Sequence, residues 1–449
     1  MTDLLGIGSS ALRAYQSALA AVGENVANAH TPGYARRRIT LQEVAVSGSG
    51  DIAYKPQVMF AGVTAAGVTR AWDNFKASEA RFSASADGRA SVRQQWLTGI
   101  ETALDDGIAG VGQTMTGFFT AAASLASDPE DRLGRRAVLT ALDNVASAFR
   151  TSGQALGRLS DGIGQAAELE VTSLNDALKA LDAVNGALGP ADSNGSARAS
   201  LEDERDRLID FIAAKVDINV SISEDGRASL SATSGAGLTL LDGNGPKLVV
   251  LARATDGRLA LQLQTNGTIV TLPTAAGKLA GLADVAQQVA DRRNQLDVLA
   301  HNFTTMVNDW AAAGEDANGN PGAPMISILG SATTIQALIT DPDLVPAASP
   351  GGTANGNLLA LDAIREASGV EDRWNTLVSG NAQVLASASA EAAATATWRD
   401  NSYAALDEVT GVDLDAEAAE LLRFQQAYNA SARIIQVARE TIQALFDAL

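Results

Sequence analysis

The chain has 449 residues, no cysteine and two histidines, and its formal net charge at pH 7 is −19. This length exceeds what one hydrophobic core usually supports, so we expect several domains. The charge disfavours nucleic acid and anionic membranes as partners, because both bind clustered Lys and Arg. Disulfides, thiolate metal sites and thiol nucleophiles are excluded, and no apolar stretch is long enough to cross a bilayer.

The N-terminal segment predicts an amphipathic helix. Its apolar residues recur every seven positions, at Leu5, Leu12, Leu19 and Val26. A ladder with this period is typical of helices that pack lengthwise, so this stripe needs a partner helix.

A turn is predicted to end this helix. Asn25 and Asn28 lie three apart and are followed by Thr31, Pro32, Gly33 and Tyr34. Proline fixes φ at the second position of a type II turn, and glycine adopts the positive φ that the third position requires. Three consecutive arginines, beginning at Arg36, come next. They form either a solvated cluster or ion pairs with acids of a neighbouring subunit.

Long gaps without proline predict long helices. Residues 130–189, 274–320 and 351–449 contain none, and an interior proline costs a helix about 3 kcal/mol or more. The second gap carries another seven-residue ladder, formed by Leu282, Val289, Leu296, Phe303 and Trp310. We therefore expect several long helices bundled side by side.

A β pattern interrupts the helical one. Val216, Ile218, Val220 and Ile222 alternate with polar residues, and several Asp-Gly and Asn-Gly pairs follow at short intervals. Such pairs supply the positive φ angles of tight hairpins. The predicted fold is mainly α, with an inserted small antiparallel β domain.

The last helix is predicted to pair with the first. Its heptad ladder consists of Leu414, Leu421, Tyr428, Ile435, Ile442 and Leu449. Residues 1–38 carry four arginines against two acids, whereas residues 413–449 carry three arginines against six acids. These opposite charges favour one coiled coil made from both ends. Two unrelated amphipathic helices on a common core are the alternative.

These patterns predict three domains. Residues 1–38 and 413–449 form a terminal coiled coil, residues 39–215 and 276–412 form a long-helix bundle, and residues 216–275 form an outer β domain.

No pattern of residues predicts catalysis or metal binding. His30 and His301 belong to no recognisable catalytic motif. Asp316, Asn318 and Asn320 resemble the start of a calcium loop, but the loop lacks the required glycine and bidentate glutamate, so we predict a tight turn. We expect no catalytic, cofactor-binding or metal site.

Both ends of the chain resemble the axial proteins of the bacterial flagellum, namely the rod, hook and hook-associated proteins. The resemblance rests on the turn motif with Arg36 after it, on the stretch "GVTAAGVTRAWDNF", and on the C-terminal "FQQAYNASAR". Among these proteins, the hook-associated ones are the most similar. The resemblance implies a structural, non-enzymatic subunit that is exported unfolded and joins the hook to the filament outside the cell. It also implies that the two terminal ladders form the assembly interface.

The resemblance further implies which partners the chain has. They are the hook protein, a second hook–filament junction protein, further copies of this chain in a ring-like or helical layer, and an export chaperone on the C-terminal helix. Three alternatives stay open: another axial protein such as the hook protein or flagellin, a wall-degrading enzyme on an axial scaffold, and a secreted adhesin-like coiled coil. The long helices disfavour a hook protein, and an enzyme would need paired carboxylates in a cleft.

Overall fold

The computed structural model describes residues 2–46, 59–192, 195–235, 237–265 and 267–447. Its helices are α1 (Thr2–Asn28), α2 (Asn74–Ala103), α3 (Val111–Leu125), α4 (Arg132–Leu188), α5 (Ser196–Ala213), α6 (Lys278–Ala312), α7 (Gly356–Ser368), α8 (Val370–Thr410) and α9 (Leu414–Asp447). Its strands are β1 (Arg37–Val46), β2 (Met59–Arg70), β3 (Ile218–Ile222), β4 (Ala228–Ala232), β5 (Thr239–Asp242), β6 (Gly245–Pro246), β7 (Leu248–Arg253), β8 (Leu259–Thr265), β9 (Thr268–Thr271), β10 (Ile326–Ser327) and β11 (Gln336–Ala337). The predicted fold class, mainly α with small antiparallel sheets and long terminal helices, is confirmed.

The chain divides into two compact units. The terminal unit consists of the described residues in Met1–Ser85, Leu174–Leu248 and Ala396–Leu449. The central unit consists of Ala86–Ser173 and the described residues in Val249–Thr395. The division into three domains that the sequence suggests stays a prediction.

An aromatic cluster forms the core of the central unit. All five residues of the predicted α6 ladder are buried. Within this core, the ring of Phe303 lies 5.9 Å from that of Phe118 and 6.1 Å from that of Phe149, between centroids. Trp310 packs edge-to-face against Phe118, and its indole N–H donates to the carbonyl of Asn357 at 2.8 Å. The core is therefore closely packed, and its buried indole nitrogen has a hydrogen-bond partner.

The loop after α6 is a tight turn, as predicted. One carboxylate oxygen of Asp316 accepts hydrogen bonds from the backbone N–H groups of Asn318 and Asn320, at 2.8 and 2.9 Å. Desolvation acts to raise the pKa of Asp316, but hydrogen bonds from Asn320 and Asn318 lower it overall. The carboxylate therefore organises its own loop.

The strands in the predicted β region form two sheets. The sheet of the terminal unit has the antiparallel order β3-β4-β5-β6. The second sheet has the order β7-β8-β9, and its residues from Val249 onward belong to the central unit. The sequence predicts that all these strands belong to one outer β domain, residues 216–275.

The strands β1 and β2 form a hairpin that packs on α1. The sequence predicts instead that residues from 39 onward belong to the long-helix bundle. Gly62 in β2 has a φ of 93°, and a Cβ atom there would overlap the hydroxyl of Ser10 in α1. The backbone N–H of Val63 donates to that hydroxyl at 3.3 Å. Glycine is required here both for its backbone conformation and for the close approach of the hairpin to the helix.

The same substitution at two leucines of α4 tests which of them is packed in the core. Leu142 is buried, whereas Leu133 is 74% exposed. We expect Leu142→Ala to lower the free energy of unfolding by about 2–5 kcal/mol, because it leaves a cavity in a packed core. Leu133→Ala should change it by about 0.5 kcal/mol or less. Urea denaturation of both variants measures the difference, and equal effects would contradict this packing.

Candidate assembly interface

The predicted turn follows the end of α1. The N–H of Tyr34 donates to the carbonyl of Thr31 at 3.2 Å, and Gly33 has a φ of 76°. These values fit a type II turn with proline at its second position. The side chain of Asn28 donates to the carbonyl of Glu24 at 2.9 Å, within the last turn of the helix. The chain therefore reverses direction directly after α1 and enters β1.

Asn25 connects the helix, the turn and the hairpin. Its side chain is 1% exposed. The Oδ1 atom accepts from the hydroxyl of Tyr34 at 2.8 Å and from the N–H of Arg37 at 2.9 Å. The Nδ2 group donates to the carbonyl of Arg37 at 2.9 Å and to a carboxylate oxygen of Glu417 at 3.0 Å. All four hydrogen bonds that an asparagine side chain can readily make are therefore formed.

Glu417 links the turn to the last helix. This carboxylate is fully buried near the start of α9, and it accepts from Nε of Arg36 at 2.5 Å as well as from Asn25. The backbone N–H of Arg36 donates to the carbonyl of Thr410 at 2.8 Å. A buried carboxylate requires such partners, because desolvation otherwise costs several kcal/mol.

Arg37 and Arg70 face each other across the hairpin. They are register partners at the open ends of β1 and β2, where two like charges destabilise the pairing. Asp203 of α5 lies between them, 3.2 Å from Arg37 and 2.7 Å from Arg70. Burial raises the pKa of Asp203 although both arginines act to lower it. The opposed cations therefore share one buried anion.

The acids on one face of α5 continue this pairing. Asp206 lies 2.9 Å from Arg70, and Asp210 lies 2.6 Å from Arg81 of α2. Burial raises the pKa of Asp210 despite the nearby Arg81. The spacing of three and four residues places these acids on one side of the helix. The run "DERDRLID" carries this signal in its spacing of acids.

The solvated-cluster interpretation is wrong for the first two arginines, and pairing with acids of a neighbouring subunit stays a prediction. Arg36 pairs with Glu417, and Arg37 pairs with Glu24 at 2.6 Å and with Asp203, all within one chain. Only Arg38 is exposed. Glu24 is close in sequence, but Glu417 and Asp203 are brought to the turn by α9 and α5, which local sequence does not reveal.

The two terminal helices pack antiparallel. Asn25 near the end of α1 meets Glu417 near the start of α9, and Gly8 lies against Ile435 far along α9. Between these points the rings of Tyr15 and Phe424 are 6.4 Å apart.

The described residues of the two predicted ladders are half-buried or exposed in this contact. Half-buried positions are Leu5, Leu12, Leu19, Leu421, Tyr428, Ile435 and Ile442, and exposed positions are Val26 and Leu414. Leu449 lies outside the described residues. Of the turn motif, Asn25 is buried, Asn28, Tyr34 and Arg36 are half-buried, and Thr31, Pro32 and Gly33 are exposed. Whether these residues form an assembly interface stays a prediction.

Small and polar residues make up the part of the contact that sequence reasoning missed. On α1 the buried positions include Gly8 and Ala18, and on α9 they include Ser431 and Ala438. Counting large apolar residues overlooks such positions. A spacing of three and four from Ile435, which reaches Ser431 and Ala438, would have located them.

The described ranges contain no helix that combines the length and apolar character needed to cross a bilayer. Among the same residues, no three or more His, Asp or Glu side chains converge as metal ligands do. What the site contains is a set of buried ion pairs and a contact between two helices, both within one chain.

Family comparisons agree with this architecture at both ends. Residues 5–34 match the family model described as flagella basal body rod protein. Residues 405–448 match the one described as flagellar basal body rod FlgEFG protein C-terminal. The terminal helices and the turn are therefore those of a flagellar axial protein.

The middle of the chain identifies the particular family. Residues 97–326, just over half of the chain, match the model described as flagellar hook-associated protein FlgK helical domain. The chain belongs to the flagellar hook-associated protein FlgK family.

The sequence identity between this chain and individual relatives is low. The chain is 26% identical to flagellar hook-associated protein 1 of Escherichia coli over 73% of its own length, and the match spans only 60% of that protein. It is 23% identical to the Bacillus subtilis protein of the same name, over 98% of this chain and 96% of the relative. The solved flagellar hook junction protein FlgK from Burkholderia pseudomallei aligns with a TM-score of 0.51 at 20% identity, over 56% of this chain and 47% of that one. This last likeness concerns the fold.

The same substitution at two glutamates near the start of α9 tests the buried contact of Glu417 with Arg36 and Asn25. Glu417 is fully buried, whereas Glu420 is partly exposed and lies 4.0 Å from Arg36. We expect Glu417→Gln to destabilise the terminal unit by about 2 kcal/mol or more, because Arg36 loses its buried counter-charge. Glu420→Gln should cost about 0.5 kcal/mol or less. Amide exchange in α1 and α9 reports the effect, and identical exchange in both variants would contradict it.

Two glycines in α1 test the close helix approach. A Cβ at Gly6 would contact nothing within 4 Å, but one at Gly8 would lie 2.6 Å from Cγ1 of Ile435. Gly6→Ala should stabilise the terminal unit by about 0.5–1 kcal/mol through helix propensity. Gly8→Ala should lose that gain to overpacking and destabilise by about 1–2 kcal/mol. Thermal unfolding compares them, and stabilisation by both substitutions would refute the contact.

The hydroxyl of Tyr34 provides a test at high pH. Burial raises its pKa to about 12, although Arg37 acts to lower it. The folded state therefore keeps a proton that the unfolded state loses near pH 10. This contribution to stability is complete below pH 10 and is lost as the pH rises towards 12. Absorbance titration at 295 nm should show one late-titrating tyrosine fewer in Tyr34→Phe, and an unchanged titration would contradict the assignment.

Proposed function

We propose that the chain is a structural subunit of the bacterial flagellum that joins the hook to the filament. Its membership of the FlgK family supports this role, and so do the rod-protein matches at both ends. The observation that carries the proposal is the terminal helix pair, which satisfies its polar groups internally yet leaves apolar side chains exposed. We infer from that surface that the chain acts by packing against other subunits.

The exposed apolar side chains are the proposed contacts with neighbouring subunits. They lie on both helices, at Leu4 and Val26 of α1 and at Leu414, Leu422, Ile434, Val437 and Phe446 of α9. Ile434 and Val437 are three residues apart and so share one side of α9. Apolar surface of this kind is typical of association sites.

We infer that the partners are the hook protein, a second hook–filament junction protein, and further copies of this chain. We also infer that the chain is exported before it assembles and that an export chaperone covers part of α9 until then. An exposed apolar helix face gives both the chaperone and the assembled neighbours a surface to bind. The chain would then act outside the cell, at the junction.

Adjacent residues of α9 give a matched test of this role. Val437 is 60% exposed, and its neighbour Gln436 is also exposed. Either residue changed to Asp adds one negative charge without opening a cavity in the isolated subunit. We expect both purified variants to keep the melting temperature of the parent protein. In a strain lacking the parental gene, Val437→Asp should abolish attached filaments, because assembly would bury the new charge, whereas Gln436→Asp should restore them.

Electron microscopy counts attached filaments, and immunoblots of the medium measure export of each variant. Export of Val437→Asp without filament attachment supports an assembly defect, and loss of export assigns the residue to the secretion step instead. Normal filaments with Val437→Asp would refute this surface as an assembly contact.

A further inference from the structure

Among the described strands, β3 forms an unprotected edge of the sheet in the terminal unit. At the opposite edge, β6 has only two residues and ends in Pro246, which has no N–H to offer. In contrast, β3 has five residues, "INVSI", without charge or proline. Short length, charged side chains and proline normally protect the edge strands of a sheet, because an unprotected edge pairs with further strands. Within the described residues, β3 pairs only with β4.

Among the described residues, the outward hydrogen-bonding groups of the β3 backbone have no partner. The N–H of Ser223 and the C=O of Asp217, at either end of the strand, both bond on the β4 side. Alternate residues of an antiparallel strand point to the same neighbour. The N–H and C=O groups of Ile218, Val220 and Ile222 therefore point away from β4. Their apolar side chains are half-buried or exposed.

A groove lies beside this edge. It is a cavity of about 390 Å³ between one face of α2 and the first half of β3. Phe75 and Phe82, seven residues apart on α2, line it and are 80% and 58% exposed. The buried hydroxyl of Ser85 also lines the groove and has no hydrogen-bond partner among the described residues. We call the cavity and the outward side of β3 the edge groove.

The charge of the edge groove favours a basic residue. Glu79 lies on its wall and accepts a hydrogen bond from the indole N–H of Trp398 at 3.0 Å. In the part of the chain that the structure describes, no lysine or arginine pairs with Glu79. Arg81, on the same wall, is already paired with Asp206 and Asp210.

We propose that the edge groove binds one extended segment of a partner protein as an additional strand beside β3. Only a polypeptide backbone repeats donors and acceptors at the spacing of alternate strand residues, about 6.8 Å. The segment carries apolar side chains at alternate positions, which meet Ile218, Val220 and the two phenylalanines. One lysine or arginine of the segment lies near Glu79. This surface is separate from the terminal helix contact and does not depend on it.

The probe is a labelled, end-blocked peptide of sequence Lys-Val-Thr-Val-Thr-Val, tested on the full chain. The key variant is Val220→Pro, because the N–H it removes points away from β4 and edge positions of this kind tolerate proline. Val220→Thr is the matched control, since it keeps both the N–H and a β-branched side chain. Fluorescence polarisation measures binding, and amide exchange locates it.

We expect the peptide to bind the parent protein and to slow exchange of the amides of Ile218, Val220 and Ile222. Val220→Pro should weaken binding about tenfold or more, since it removes a backbone hydrogen bond and blocks close approach. Val220→Thr should bind as the parent does. Phe75→Ala, which truncates an exposed side chain, should also weaken binding and serves as the test if Val220→Pro fails to fold.

Three results would overturn the proposal. One is absence of binding to the parent protein, and another is binding that neither Val220→Pro nor Phe75→Ala weakens. The third is concentration-dependent dimerisation of the parent chain that Val220→Pro abolishes, because the edge would then serve a second copy.

Discussion

The carboxylate of Glu417 is the constraint on which the terminal unit depends. It is buried near the start of the last helix, where it binds Arg36 and Asn25. A buried charge tolerates little displacement, because its partners must stay within hydrogen-bond distance. The exit of α1, the turn and the start of α9 are therefore fixed relative to one another. The antiparallel packing of the terminal helices follows, and with it the placement of the apolar side chains that we propose for assembly.

The α5 helix extends the same principle to the hairpin. Asp203 lies between two opposed arginines that would otherwise repel each other across β1 and β2. Asp203, Asp206 and Asp210 of α5 each lie within ion-pair distance of an arginine from another element. The charged groups around the turn are paired inside the unit, which leaves apolar contact as the main means of attraction that we propose for the terminal helices.

Regular periodicity is what made much of the fold predictable. The α6 ladder that ends in Trp310 identified a buried helix, and the alternation around Val220 identified strands. The pairing of Arg36 with Glu417 and of Arg37 with Asp203 was not predictable, because these acids come from α9 and α5, far away in sequence. The hairpin of β1 and β2 was missed because small residues such as Gly62 carry it, and Ser431 was missed because it is polar. Periodicity reveals apolar faces, whereas charge pairing and close approach depend on tertiary contacts.

The hydrogen bond between Asn25 and Glu417 joins residues that are 392 positions apart. Loop-closure entropy makes a contact of such high sequence separation slow to form, so the two ends of the chain meet late in folding. A chain that lacks its last helix would leave the amide of Asn25 and the guanidinium of Arg36 without their buried partner. Incomplete chains would thus carry an unsatisfied polar cluster at the surface that we propose for assembly. The hydrogen bond that closes the molecule therefore makes the pairing of polar groups at one end of the chain depend on the presence of the other end.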